Sequence, residues 1–189
     1  MAIAAIVVVA MSLRPGIVSI GPILPSLIHE FGMSHTTASL LTSIPTILMG
    51  VIALPTPWLA RRYGRDPVLL LALLLIGVAT LLRAFSFNVS ELLLSTAAVG
   101  VGIAIAGTLI AGFIKARFPH QAALLMGIYA ASLSLGATIS AAGTGPVENV
   151  MGGWRVAAGM WCVVSIVAII GWLGVTMSER GHHSIVPVM

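Results

Sequence analysis

Charge is what this sequence has least of. Only 7% of its 189 residues are charged, where a water-soluble domain carries roughly a quarter. Hydrophobic residues make up 59% and mean hydropathy is +1.12. That balance excludes a soluble globular domain and leaves a polytopic membrane protein. Aromatic residues are scarce at 6%, and no basic run is interleaved with them. The net charge of +4 and pI near 10.2 therefore do not point to nucleic acid. The basic residues fall mostly in short loops at the ends of apolar runs, where they set topology and meet anionic headgroups. A single cysteine, Cys162, rules out an intramolecular disulfide and gives no support to a metal cluster. The five histidines, His29, His35, His120, His182 and His183, lie in loops or the tail without thiolate or buried carboxylate companions. No metal site and no cofactor are expected. The apolar runs also hold no internal Asp or Glu, so proton coupling would have to rely on residues elsewhere.

What is abundant is long apolar sequence. Six runs are each long enough to span a bilayer, at 2–28, 36–60, 67–85, 91–114, 121–146 and 154–177. The expectation is an all-α bundle over residues 1–177, with 178–189 as a short disordered cytoplasmic tail. The first run is too long for a signal peptide and lacks its basic leader and cleavage site, so it is expected to remain a span. An even number of spans places both termini on one side. Arg61, Arg62, Arg65, Lys115, Arg117 and Arg180 lie on that side, which positive-inside makes cytoplasmic. The opposite side carries Arg83 and Arg155 beside Glu30, Glu91 and Glu148. Both arginines are expected to snorkel, and Glu30 to pair with His29 or His35 at a solvated rim.

The first run, IAAIVVVAMSLRPGIVSIGPILPSLI, stands apart because Arg14 lies near its middle and Pro15 follows at once. A guanidinium at that depth costs about 2.5–3.5 kcal/mol on insertion scales. Pro15 removes a backbone donor, and Pro22 and Pro25 repeat the disturbance, so protein or water must satisfy the freed groups. At helical spacing Val7, Arg14, Val18, Gly21 and Pro25 share one face. Arg14 is either a solute contact or a tie that bonds neighbouring carbonyls, and intramembrane charge makes it the first site candidate.

Stripes of small residues run along three other spans. The second aligns Ser39, Ser43, Thr46, Gly50 and Ala53; the fourth Gly100, Ala104, Gly107 and Ala111; the fifth Gly127, Ala131, Ser134, Thr138, Ala141 and Gly145. Close helix packing at Gly100, Gly102, Gly107, Gly127 and Gly136 is the first reading of these seams. Ser39, Ser43 and Thr46 are candidate solute contacts, with back-bonding to their own helix as the alternative. The leucine-rich third span and the Val/Ile/Trp-rich sixth are expected to form an outer wall around the first, second, fourth and fifth. The inner–inner–outer order repeats after residue 90, the pattern of two inverted three-helix repeats.

The loop after the second span reads PTPWLARRYGRDPVLL. Its Leu59, Arg62, Gly64, Arg65 and Leu69 resemble the cytoplasmic signature G-x-L-A-D-R-x-G-R-R-x-x-L of the major facilitator superfamily. Pro57 replaces the first glycine, Arg61 the aspartate, and Asp66 a basic residue. The resemblance implies a gating loop at Arg61, Arg62, Gly64, Arg65 and Asp66. Gly152-Gly153-Trp154-Arg155 is similar to that superfamily's entry into its sixth helix. Gly100-Val101-Gly102 resembles the end of R-x-x-x-G-x-G, with Thr96 in the arginine's place. Gly127 and Gly136 have the spacing of the antiporter motif, but Ser140 and Ala141 stand at its Gly-Pro, which counts against a drug antiporter.

Met11-Ser12-Leu13-Arg14-Pro15, Gly21-Pro22-Ile23-Leu24-Pro25 and LLTSIPTILMG resemble the cyanate and 2-nitroimidazole transporter branch. The resemblance implies the first six-helix half of a carrier in a bacterial inner membrane, moving a small polar or anionic solute by alternating access. It implies a second six-helix half, or a second copy, as partner. A truncated or regulatory membrane subunit is the alternative. A six-span intramembrane protease is disfavoured because no histidine lies inside a run to activate a serine.

Overall fold

Proline and glycine decide where the helices break. The computed structural model describes residues 2–183, and among them all regular structure is helical. Six helical stretches are long and apolar enough to cross a membrane: Ile3–Phe31, His35–Ala53, Arg65–Ala84, Val89–Arg117, Pro119–Met151 and Trp154–Met177. The first is interrupted at Arg14 and again at Ser19. Pro15 has no N–H to give the Met11 carbonyl, and the Arg14 carbonyl instead accepts from both Ile17 (3.1 Å) and Val18 (3.0 Å).

The second span starts at Ser34, whose hydroxyl caps the Thr37 N–H at 3.1 Å. It closes at Ala53, before Pro55, and a short helix Thr56–Tyr63 carries the chain to Gly64. Gly64 has φ +89°, a conformation that favours glycine, and turns the chain directly into the third span. The fifth span runs past Pro146 to Met151, where Gly152 at φ +72° ends it. The last helix is continuous to His183, so the first residues of the expected tail are helical. No proline intervenes before Pro187, and residues 184–189 lie outside the described residues.

The contact pattern has an internal symmetry. The first span packs on the fifth and sixth, and the fourth packs on the second and third. Exchanging the two groups of three helices converts one set of contacts into the other. Two close backbone approaches mirror each other in the same way. A Cβ at Gly136 would lie 2.5 Å from the Met11 carbonyl oxygen, and one at Gly100 would lie 2.7 Å from the Pro45 Cα. The first pair uses the carbonyl that Pro15 leaves without its helical donor.

The first and fourth spans are the most buried, but the second and fifth are the least, and the third is more buried than the sixth. The third is two-sided: Leu69, Ala72, Leu73, Ile76 and Ala79 are buried, while Leu71, Leu74, Val78 and Leu82 are exposed. The stripes on the second and fifth spans look outward from this bundle. Gly50, Gly127, Ala131 and Ala141 are all exposed.

Candidate functional site

Arg14 stands on the open face. Its side chain is exposed, as are Gly21 and Pro25 on the same face of the first span, while Ile6, Val9, Leu13, Ile20 and Ile23 behind it are sealed in the core. Pro15 and the turn at Arg14 put the guanidinium at the break, where the helix ladder is already incomplete. Among the described residues no hydrogen bond to a neighbouring carbonyl holds it. Tyr129 of the fifth span lies within electrostatic reach, and its hydroxyl sits 3.4 Å from where a Cβ of Gly107 would be.

The hydroxyl candidates lie on the second span and are exposed. Each donates back to its own helix: Ser39 to the Thr36 carbonyl (2.8 Å), Ser43 to Ser39 (3.0 Å) and Thr46 to Thr42 (3.0 Å). Ser134 and Thr138 on the exposed stripe of the fifth span do the same, to Ala130 (3.1 Å) and Ser134 (3.0 Å). With their protons engaged, these oxygens keep lone pairs and offer an acceptor-lined wall. Arg14 supplies the charged donors.

The glycines divide by position. Gly100 and Gly136 lie against backbone, as described, and a Cβ at Gly102 would meet Ile76 at 2.6 Å and the Ala72 carbonyl at 2.9 Å. Gly107 has ordinary contact only, and Gly127 faces open space with nothing within 4 Å. The fifth-span seam therefore does not pack within this bundle at Gly127.

On the side of the short loops, Arg61 and Arg62 are exposed, and Arg62 stacks on Trp58 and Tyr63, each 5.5 Å from ring centroid. Arg65 pairs with Asp66 at 2.8 Å and lies 4.3 Å over Phe113 of the fourth span and 6.0 Å from Trp172 of the sixth. The start of the third span is thus tied to two other helices by one guanidinium.

Three expectations at the opposite end change. Arg83 does not snorkel; it is fully buried and donates through Nη1 to the Gly16 carbonyl at 2.8 Å. Arg155 donates to the Ala84 and Ser86 carbonyls (3.2 and 2.8 Å) and to Glu30 at 2.8 Å, and stacks 4.7 Å over Trp154. Glu30 pairs with neither His29 nor His35 but accepts from Arg155 and from the Trp154 indole. This clasp joins the ends of the first, third and sixth spans. Sequence reasoning missed it because helix ends with Arg and Trp read equally well as lipid-interface anchors.

Comparison with known proteins settles the family. The family model of the Major Facilitator Superfamily matches residues 2–187. The chain belongs to that superfamily. Among curated superfamily relatives, the cyanate transport protein CynX of Escherichia coli is 35% identical over 168 residues, covering 88% of this chain and 44% of that protein. The 2-nitroimidazole transporter of Escherichia coli is 31% identical over 94% of this chain and 45% of its own length. The uncharacterized transporter YycB of Bacillus subtilis is 31% identical over 90% and 42%. The chain thus spans less than half the length of these relatives. A crystal structure of the peptide transporter POT in complex with sulfate superposes with TM-score 0.79 at 16% identity, over 92% of this chain and 37% of that one. That likeness concerns the fold alone.

Proposed function

We propose that this chain is the first six-helix half of a carrier that moves a small polar or anionic solute by alternating access. The single observation behind the reading is Arg14, a guanidinium exposed at a helix break on the open face of the first span. Exposed hydroxyls at Ser39, Ser43, Thr46, Ser134 and Thr138 add to it. The solute class follows from that chemistry and from the named substrates of the relatives, cyanate and 2-nitroimidazole. Substrate sites of such carriers lie between two halves. A second half, from a longer chain, another chain or a second copy, covers the open face here. The membrane is a bacterial inner membrane with both termini cytoplasmic, as the basic loops favour. The Arg61–Asp66 loop then faces the cytoplasm and biases one state through the Arg65 tie to the fourth and sixth spans.

The test is uptake of radiolabelled cyanate and of 2-nitroimidazole by vesicles containing the full-length protein with its second half. Arg14→Ala removes a charge-assisted contact worth about 1.5–3 kcal/mol, so uptake falls at least about tenfold while membrane insertion is unchanged. Undiminished uptake by the variant removes Arg14 from the site. Absence of uptake by the unaltered protein favours the second reading, a membrane subunit that only pairs with another protein. The exposed small-residue faces of the second and fifth spans suit that reading too.

A further inference from the structure

The third span carries a guanidinium whose setting is the reverse of that of Arg14. Arg83 is 0% exposed. Its Nη1 donates to the Gly16 carbonyl at 2.8 Å, but Nε and Nη2 have no hydrogen-bond partner among the described residues. The buried hydroxyls of Ser19 and Thr80 have none either.

These groups sit one turn apart on each helix, Gly16 and Ser19 on the first span and Thr80 and Arg83 on the third, and Gly16 meets both Thr80 and Arg83. The two helices run in the same direction. A Cβ at Gly16 would lie 3.8 Å from the Thr80 Oγ1, which sets Gly16 level with Thr80 and Ser19 level with Arg83. Helical side chains lean toward their own N-terminus, so Arg83 and Ser19 both lean into the layer between Gly16 and Thr80. A Cβ at Gly16 would also stand 2.7 Å from the Val99 Cγ1, so the fourth span closes the layer from the side.

An arginine does not escape burial by losing its proton. An ion taken out of water carries a penalty that a neutral carbonyl alone does not offset. No carboxylate among the described residues pairs with Arg83. The four unpartnered groups are all able to donate at once: Nε–H, Nη2–H₂ and two hydroxyls. We propose that Arg83, Ser19 and Thr80 form a binding site for a small monovalent anion of halide size, enclosed between the first and third spans. A water molecule carries no charge and leaves the buried cation unanswered, whereas a small anion accepts from all four groups and neutralises it. The anion fastens the broken segment of the first helix to the third. The site is separate from the open face and does not rest on the role given to Arg14.

The experiment is thermal unfolding of the purified full-length protein in chloride and in bromide, titrated from gluconate at constant ionic strength. The unaltered protein gains a saturable rise in Tm of about 5 °C, and Arg14→Ala keeps it. Arg83→Gln loses it. In Ser19→Ala/Thr80→Val, which retains the guanidinium, the halide concentration for half effect rises at least tenfold; this variant decides the matter should Arg83→Gln not fold. A Tm independent of halide means that water alone fills the layer and overturns the proposal. So does a halide effect that vanishes in Arg14→Ala, or one unchanged in the Ser19/Thr80 double variant.

Discussion

Arg14 and Arg83 lie on neighbouring helices, yet the bundle treats them in opposite ways. Arg14 is exposed at a break that leaves the backbone incomplete. Arg83 is sealed and bonded to a carbonyl two residues beyond Arg14. Residue type and hydropathy are the same; what differs is which side of its helix each occupies. In the wedge of the first, third and fourth spans, contact is close enough that glycines meet backbone or branched side chains. On the open face of the first, second and fifth, polar oxygens are bonded only to their own helices. The wedge holds shape, and the open face is left for something else to cover.

The largest effect is expected from forcing the first and fifth spans apart where their backbones meet. Gly136→Val would set a Cβ 2.5 Å from the Met11 carbonyl oxygen and 3.0 Å from its Cα. Backbone cannot yield as a flexible side chain does, so a loss at or above about 1–3 kcal/mol is expected in a denaturant titration. Gly127→Ala on the same helix, with open space around it, serves as the control and changes little.

Next in size is Arg83→Ala, which leaves the Gly16 carbonyl without its donor and opens a hole. Stability falls by about 1–3 kcal/mol, whereas Arg14→Ala stays within about 0.5 kcal/mol as a surface change. A gain in stability from Arg83→Ala would mean that the buried cation stands uncompensated, against the proposed anion. The smallest effect belongs to the clasp. Glu30→Gln removes a half-exposed ion pair with Arg155 but leaves that arginine its two carbonyls. About 0–1 kcal/mol is expected, measured by the same titration.

Much of the fold is legible in the sequence because bilayer thickness fixes helix length and apolar runs report it directly. The helix ends move by a few residues where a local signal decides, as Gly152 does for the fifth span and Pro55 for the second. The face of the first span was legible too, since Val7, Arg14, Val18, Gly21 and Pro25 follow from helical spacing. The fate of Arg83 was not. An arginine in the last turn of a span has headgroups within reach, and only the close approach of Gly16 on another helix supplies a buried acceptor. The same limit applies to the small-residue stripes, which look alike whether they meet a helix of this bundle, as at Gly100, or face away from it, as at Gly127.

The most direct test is modification of arginines by phenylglyoxal in membranes, with each site followed by mass spectrometry in the presence and absence of cyanate. Arg14 should react readily and be protected by the solute, while Arg83 stays unmodified until the protein unfolds. An unreactive Arg14, or one that reacts as fast with solute as without it, would contradict the claim that this guanidinium is held open for a solute.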